Sequence, residues 1–98
     1  MLVLKLTESD TIATALDTIP SGEEVEVIYK GKKVAGFPAL EEIPYGFKVC
    51  VKEMKAGSPV MKYAHVIGKA SKDISFGELV HVHNIEGNRG RGDLENTK

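Results

Sequence analysis

Tryptophan is absent from this 98-residue chain, cysteine occurs once, proline four times, and aromatic residues make up only 6%. A single Cys50 can close no intrachain disulfide, so the fold must rest on its hydrophobic core, and the thiol suits a reducing compartment. Flanked by Val49 and Val51, Cys50 reads as a packing side chain rather than a nucleophile. The shortage of aromatics argues against a large cofactor pocket. No apolar run approaches the roughly 20 residues that a bilayer-spanning helix needs. The opening Met1-Leu2-Val3-Leu4-Lys5-Leu6 is too short for a signal-peptide core, so the expected location is the cytoplasm, with no membrane partner. A surplus of one charge sign is missing too. Lys and Arg number 13 against 14 Asp and Glu, for a net charge of -1, and the signs are interleaved. No electropositive face for nucleic acid is therefore expected outside the short stretch containing Arg89 and Arg91.

What the chain does have is a modest but sufficient core. It is 42% hydrophobic and 28% charged, the composition of an ordinary globular domain. A domain of this size buries about 65% of the surface its unfolded chain exposes. One spacing recurs four times, an apolar residue, glycine three later and an aliphatic residue three after that: Ile19-Gly22-Val25, Ile43-Gly46-Val49, Met54-Gly57-Val60 and Ile74-Gly77-Val80. In each, the first side chain anchors a turn in the core, glycine takes the positive φ the turn requires, and a strand follows. The uneven intervals are wrong for a solenoid and point to recurrent turn chemistry in a compact β fold.

Strands are predicted near residues 2–6, 25–29, 33–35, 48–52, 60–63, 66–70 and 79–84. Lys30-Gly31-Lys32 marks a tight hairpin after the alternating Glu24-Val25-Glu26-Val27. One short helix is predicted over 10–16, capped by Ser9 or Asp10, with Ile12, Ala13 and Leu16 on one face and Pro20 ending it. The domain is expected to occupy residues 1–85. Residues 86–98, glycine-rich and poor in apolar side chains, form a flexible tail or docking segment.

The chemistry-bearing residues gather near the end. On a strand, His81 and His83 of His81-Val82-His83-Asn84 would share one face, where two imidazoles can bind a divalent metal or hydrogen-bond a polyol or carboxylate. The plainer alternative is a pair of half-exposed sheet residues. His65 is expected to be an exposed turn residue. Arg91-Gly92-Asp93 spells a cell-adhesion tripeptide, too short a signal to carry meaning.

Four pieces in order, Ile43-Pro44-Tyr45-Gly46-Phe47-Lys48-Val49, Ala56-Gly57-Ser58-Pro59-Val60-Met61-Lys62-Tyr63, Ile67-Gly68-Lys69-Ala70 and Gly77-Glu78-Leu79-Val80-His81-Val82-His83-Asn84, resemble the SAF domain of the altronate dehydratase family. The stretch Arg89-Gly90-Arg91-Gly92-Asp93 is similar to the segment that follows this domain in that family. The departure is Ala64-His65-Val66, where the family continues with glycine and then proline.

The resemblance implies a mostly β, β-clip fold and membership of a sugar-acid lyase system. It further implies a small subunit, inactive alone, whose large catalytic partner subunit carries most of the active site, because the chain stops before such a domain. The implied reaction removes water from an aldonate such as D-altronate to give a 2-keto-3-deoxy acid. The implied cofactor is a divalent metal, iron or manganese, bound mainly by the partner. Within that frame His81 and His83 are the catalytic or metal-contacting candidates. Asn84 either fixes the strand end or meets a substrate hydroxyl. Arg89 or Arg91 binds the substrate carboxylate, and Lys62 and Tyr63 are second-rank substrate contacts. The alternatives are the small subunit of sulfolactate sulfo-lyase and, in another class, a non-catalytic SAF-type binding or assembly module. An exposed strand edge leaves a homo-oligomer open as well.

Overall fold

The computed structural model describes residues 1–63 and 65–87. They form a mostly β domain: β1 (Leu2–Leu4), β2 (Ile12–Ala15), β3 (Glu24–Tyr29), β4 (Lys32–Pro38), β5 (Lys48–Cys50), β6 (Pro59–Lys62), β7 (His65–Ala70), β8 (Leu79–Val80) and β9 (Ile85–Gly87). One sheet runs β4-β3-β1-β2-β5-β8 and the other β6-β7-β9. Pairing is antiparallel except between β1 and β3.

The four glycine motifs fold as expected. Gly22, Gly46, Gly57 and Gly77 have φ of 90°, 84°, 90° and 86°. The N–H after each glycine (Glu23, Phe47, Ser58, Glu78) donates to the carbonyl two residues before it (Pro20, Pro44, Lys55, Ser75) at 2.9–3.2 Å, so each is a type II β-turn. The apolar anchors then pair: Ile19 with Ile43 and Met54 with Ile74, each through reciprocal main-chain hydrogen bonds. Lys30 and Gly31, both at positive φ, close the β3–β4 hairpin as a two-residue turn.

Two hydrophobic cores lie on either side of the β2–β5 ladder. Ala13, Ala15, Val49 and Val51 join Val3, Ile19, Val25, Val27 and Ile43 on one side. Ile12 and Cys50 join Met54, Val60, Ile74 and Val80 on the other. This arrangement overturns the predicted helix over 10–16, which is strand β2 preceded by a turn. A strand buried on both faces loses its apolar–polar alternation, so Ile12-Ala13-Thr14-Ala15 does not show the period of two that marks a half-buried strand. The β-branched Thr11, Ile12 and Thr14 favour the extended form once both faces are covered. Leu16, expected on the buried face, is exposed. Asp10, expected as a helix cap, accepts hydrogen bonds from the Leu6 and Thr7 N–H groups and the Thr7 hydroxyl, which locks the turn entering β2.

Cys50 is fully buried, its S–H directed at the carbonyl of Lys52. Burial pushes its thiol up to about 11. The folded state therefore favours the protonated thiol. This contribution is complete below the ordinary thiol value near 9 and is lost as pH rises toward about 11, because the unfolded chain ionises first. Native protein at pH 8 should react with a disulfide reagent at least about tenfold more slowly than urea-unfolded protein, and equal rates would refute the buried placement. Gly77→Ala should cost more than Gly57→Ala. Both put a Cβ at positive φ, for roughly 1–2 kcal/mol. At Gly77 the Cβ also collides with the Pro38 carbonyl, whereas at Gly57 it meets open space. Overpacking adds about 1–3 kcal/mol, read as a larger fall in the urea midpoint at unchanged slope.

Candidate functional site

Strand β8 stops at Val80, and the polar run after it is a turn. The N–H groups of Asn84 and Ile85 both donate to the His81 carbonyl, at 3.1 and 3.2 Å. Asn84 is fully buried. Its Oδ1 accepts the His81 N–H at 3.0 Å and its Nδ2 donates to the Leu79 carbonyl at 2.8 Å. The expected strand over 79–84 is thereby corrected: the Asn84 amide takes up main-chain groups that a ladder would have used. Strand alternation therefore does not put His81 and His83 on one face. Both are exposed, as is Val82.

His81 has a defined setting. The register that opposes Lys48 to Val80 sets it beside the start of β5, where its ring lies 5.2 Å from that of Phe47. A shallow cavity of about 160 Å³ opens there, lined by Gly46, Phe47, Lys48, Val80 and His81. The type II turn at Gly46 delivers Phe47 and Lys48 to its wall. Lys48 is half-buried and donates from Nζ to the Gly46 carbonyl at 3.2 Å. Its ammonium is held below the ordinary lysine range, first by burial and then by the positive charge of Lys62.

Lys62 ends β6, which is joined to the start of β2. The Thr11 N–H donates to the Met61 carbonyl and the Met61 N–H to Thr11 Oγ1, both at 3.0 Å. The Lys62 ammonium sits 4.4 Å from the centroid of the Tyr63 ring. Tyr63 is exposed and takes a left-handed φ of 55° next to the point where the sequence departs from the family pattern. His65 is exposed and begins β7, opposite Lys62.

Of the residues singled out from sequence, the fold thus places His81 on the cavity wall, pairs Lys62 with Tyr63 outside that wall, and uses Asn84 to fix the end of β8. His83 does not line the cavity. Arg89 and Arg91 lie outside the described residues. Sequence reasoning missed Lys48 and Phe47 as site residues. Both stand in the Ile43–Val49 piece of the resemblance, but nothing local shows that β5 and β8 pair. Among the described residues no group of three His, Cys, Asp or Glu is placed to hold a metal, so His81 and His83 would need further ligands from elsewhere.

The altronate/galactarate dehydratase SAF domain family matches residues 1–88. Altronate dehydratase of Bacillus subtilis (strain 168) is 33% identical over 85 residues, covering 87% of this chain and 16% of that protein. Altronate dehydratase of Escherichia coli (strain K12) is 31% identical over 88 residues, 90% of this chain and 17% of that one. The (2R)-sulfolactate sulfo-lyase subunit alpha of Paracoccus pantotrophus is 45% identical over 51 residues, covering 52% of this chain and 76% of the subunit. The chain therefore spans about one sixth of the length of the two dehydratases.

Asn84→Ala should remove both main-chain contacts inside the fold and cost about 2–3 kcal/mol, measured by urea unfolding. It should also broaden or shift the His81 ring resonances, and an unchanged His81 environment would show that the turn holds without the amide.

Proposed function

Since this chain belongs to the altronate/galactarate dehydratase SAF domain family, we propose that it is the SAF part of a lyase that dehydrates a sugar acid, completed by a large catalytic subunit. The carrying observation is the cavity that places His81 beside Lys48 on an exposed face. At about 160 Å³ it is smaller than the several hundred Å³ of a self-sufficient small-molecule site. A second surface closing over it would complete the site and exclude water.

The substrate is an aldonate such as D-altronate. A base removes the proton α to the carboxylate, the C–O bond at the β carbon breaks, an acid protonates the departing hydroxide, and the resulting enol tautomerises to the 2-keto-3-deoxy acid. His81 is the candidate for one of these proton steps, supported by its exposed ring, held at its main chain by Asn84 and packed against Phe47. His83 is the second candidate, on the same turn. Arg89 and Arg91 follow β9 in sequence and add guanidinium groups to the binding of the carboxylate. A divalent iron or manganese ion, held mainly by the large subunit, would stabilise enediolate-like charge. The single buried cysteine accords with work in the cytoplasm.

A second reading is favoured by the extent of the match to the sulfo-lyase subunit alpha, which covers 76% of that protein. In it sulfite leaves in place of water, with the same need for a base next to a carboxylate.

The test is to assay D-altronate and (2R)-sulfolactate with ferrous or manganous ion, using this chain, the candidate large chain, and both. Turnover is expected only from the mixture, and His81→Ala should lower it by about 10²-fold without lowering the unfolding midpoint. Full turnover by the large chain alone would instead make this chain a binding or assembly module.

A further inference from the structure

Lys48 and Lys62 come from different sheets and are near enough for the charge of Lys62 to act on Lys48. Bringing two ammonium groups together costs free energy unless an anion lies between them. Among the described residues the side-chain ion pairs are Lys33 with Glu24 and Lys55 with Asp73, and neither Lys48 nor Lys62 has a carboxylate partner. The acids flanking β8 are engaged elsewhere: Glu41 accepts the Leu79 N–H and Glu78 the Ser75 N–H, each at 3.0 Å. Among the described residues no acid lines the cavity.

We propose that this cavity is a preformed seat for the anionic head group of the substrate, a carboxylate or sulfonate, with Lys48 and His81 on its wall. The choice of ligand rests on the lyase reading above, and the existence of the anion seat does not. One hydrogen of the Lys48 ammonium is spent on the Gly46 carbonyl, which orients the group and leaves the others for the ligand. Lys62, held over the Tyr63 ring, does not line the cavity and acts on it through its charge alone. The Phe47 ring and Val80 form apolar walls, which strengthen charge interactions beside them. The volume suits a head group rather than a whole sugar acid, so the polyol or carbon chain projects outward through the open mouth, toward the surface where a large subunit would close. Lys48 is thereby a specificity-determining residue: it selects a substrate that carries an anion at one end.

The experiment is an NMR titration of the isotope-labelled 98-residue chain with acetate, methanesulfonate, D-altronate and (2R)-sulfolactate, against sodium chloride at matched ionic strength. Saturable shifts are expected at the Lys48 and Lys62 side chains and at the amides of Phe47 and His81. Lys48→Gln should weaken binding by about tenfold, as loss of a charge-assisted hydrogen bond does, and Lys62→Gln, which removes a charge outside the cavity, by less. Lys33→Gln, which lies in the Glu24 ion pair, should change nothing. Shifts that chloride reproduces, or binding indifferent to Lys48→Gln, would overturn the assignment. If anions bind but the two-chain mixture turns over neither acid, the seat stands and the lyase reading falls. If the mixture is active but Lys48→Gln and Lys62→Gln leave KM unchanged, the seat is wrong and the lyase reading stands.

Discussion

The ladder between β2 and β5, with Ile12 opposite Cys50, Ala13 opposite Val49 and Thr14 opposite Lys48, is the constraint on which the rest of the domain hangs. It is a wall shared by two cores: Ala13 and Val49 pack in one, Ile12 and Cys50 in the other. Fully burying a side chain such as Ile12 is worth about 1.5–3 kcal/mol, and a wall with apolar groups on both faces collects that gain twice over the same main-chain hydrogen bonds. The ladder also sets the geometry outside the cores. Strand β8 joins at the free edge of β5, and β6 is tied to Thr11 just ahead of β2. Lys48 and His81 line one cavity because β8 is referenced to this pair through β5.

The type II turns are the second organising device. Their apolar anchors pair across the molecule, Ile19 with Ile43 in one core and Met54 with Ile74 in the other, so one local motif closes both halves of the fold. At Gly77 the turn does more than reverse the chain. The glycine N–H donates to the Cys50 carbonyl, its carbonyl accepts the Leu40 N–H, and the Pro38 carbonyl occupies the space a side chain would need. That contact fixes how β8 approaches β5, and with it where His81 sits.

The site obeys a different economy from the cores. Among the described residues its lysines have no carboxylate partner, and its aromatic ring is left partly exposed. Stability alone gives no reason to hold Lys48 half-buried with Lys62 nearby, whereas recognition of an anion does. The buried amide of Asn84 belongs to the scaffold side of this division: it spends its polar groups on the main chain so that the preceding imidazole can stand in solvent.

Much of this was legible in the residue order. The glycine turns, the Lys30-Gly31 hairpin, most strands and the family were all accessible, because turns depend on φ at single residues and half-buried strands on a period of two. The identity of β2 was not, since a strand covered on both faces carries no alternation and Ile12-Ala13-Thr14-Ala15 fits a helix equally well. Nor was the turn at 81–84, where one buried asparagine side chain replaces ladder bonds. His81 and Lys62 could be named from sequence, but Lys48 could not, because its importance lies in the Lys48–Val80 register and in the approach of β6 to β2. Local conformation is written in neighbouring residues. Which charges stand together is decided by strand pairing between residues far apart in the chain, whose hydrogen bonds are the same whatever side chains they carry.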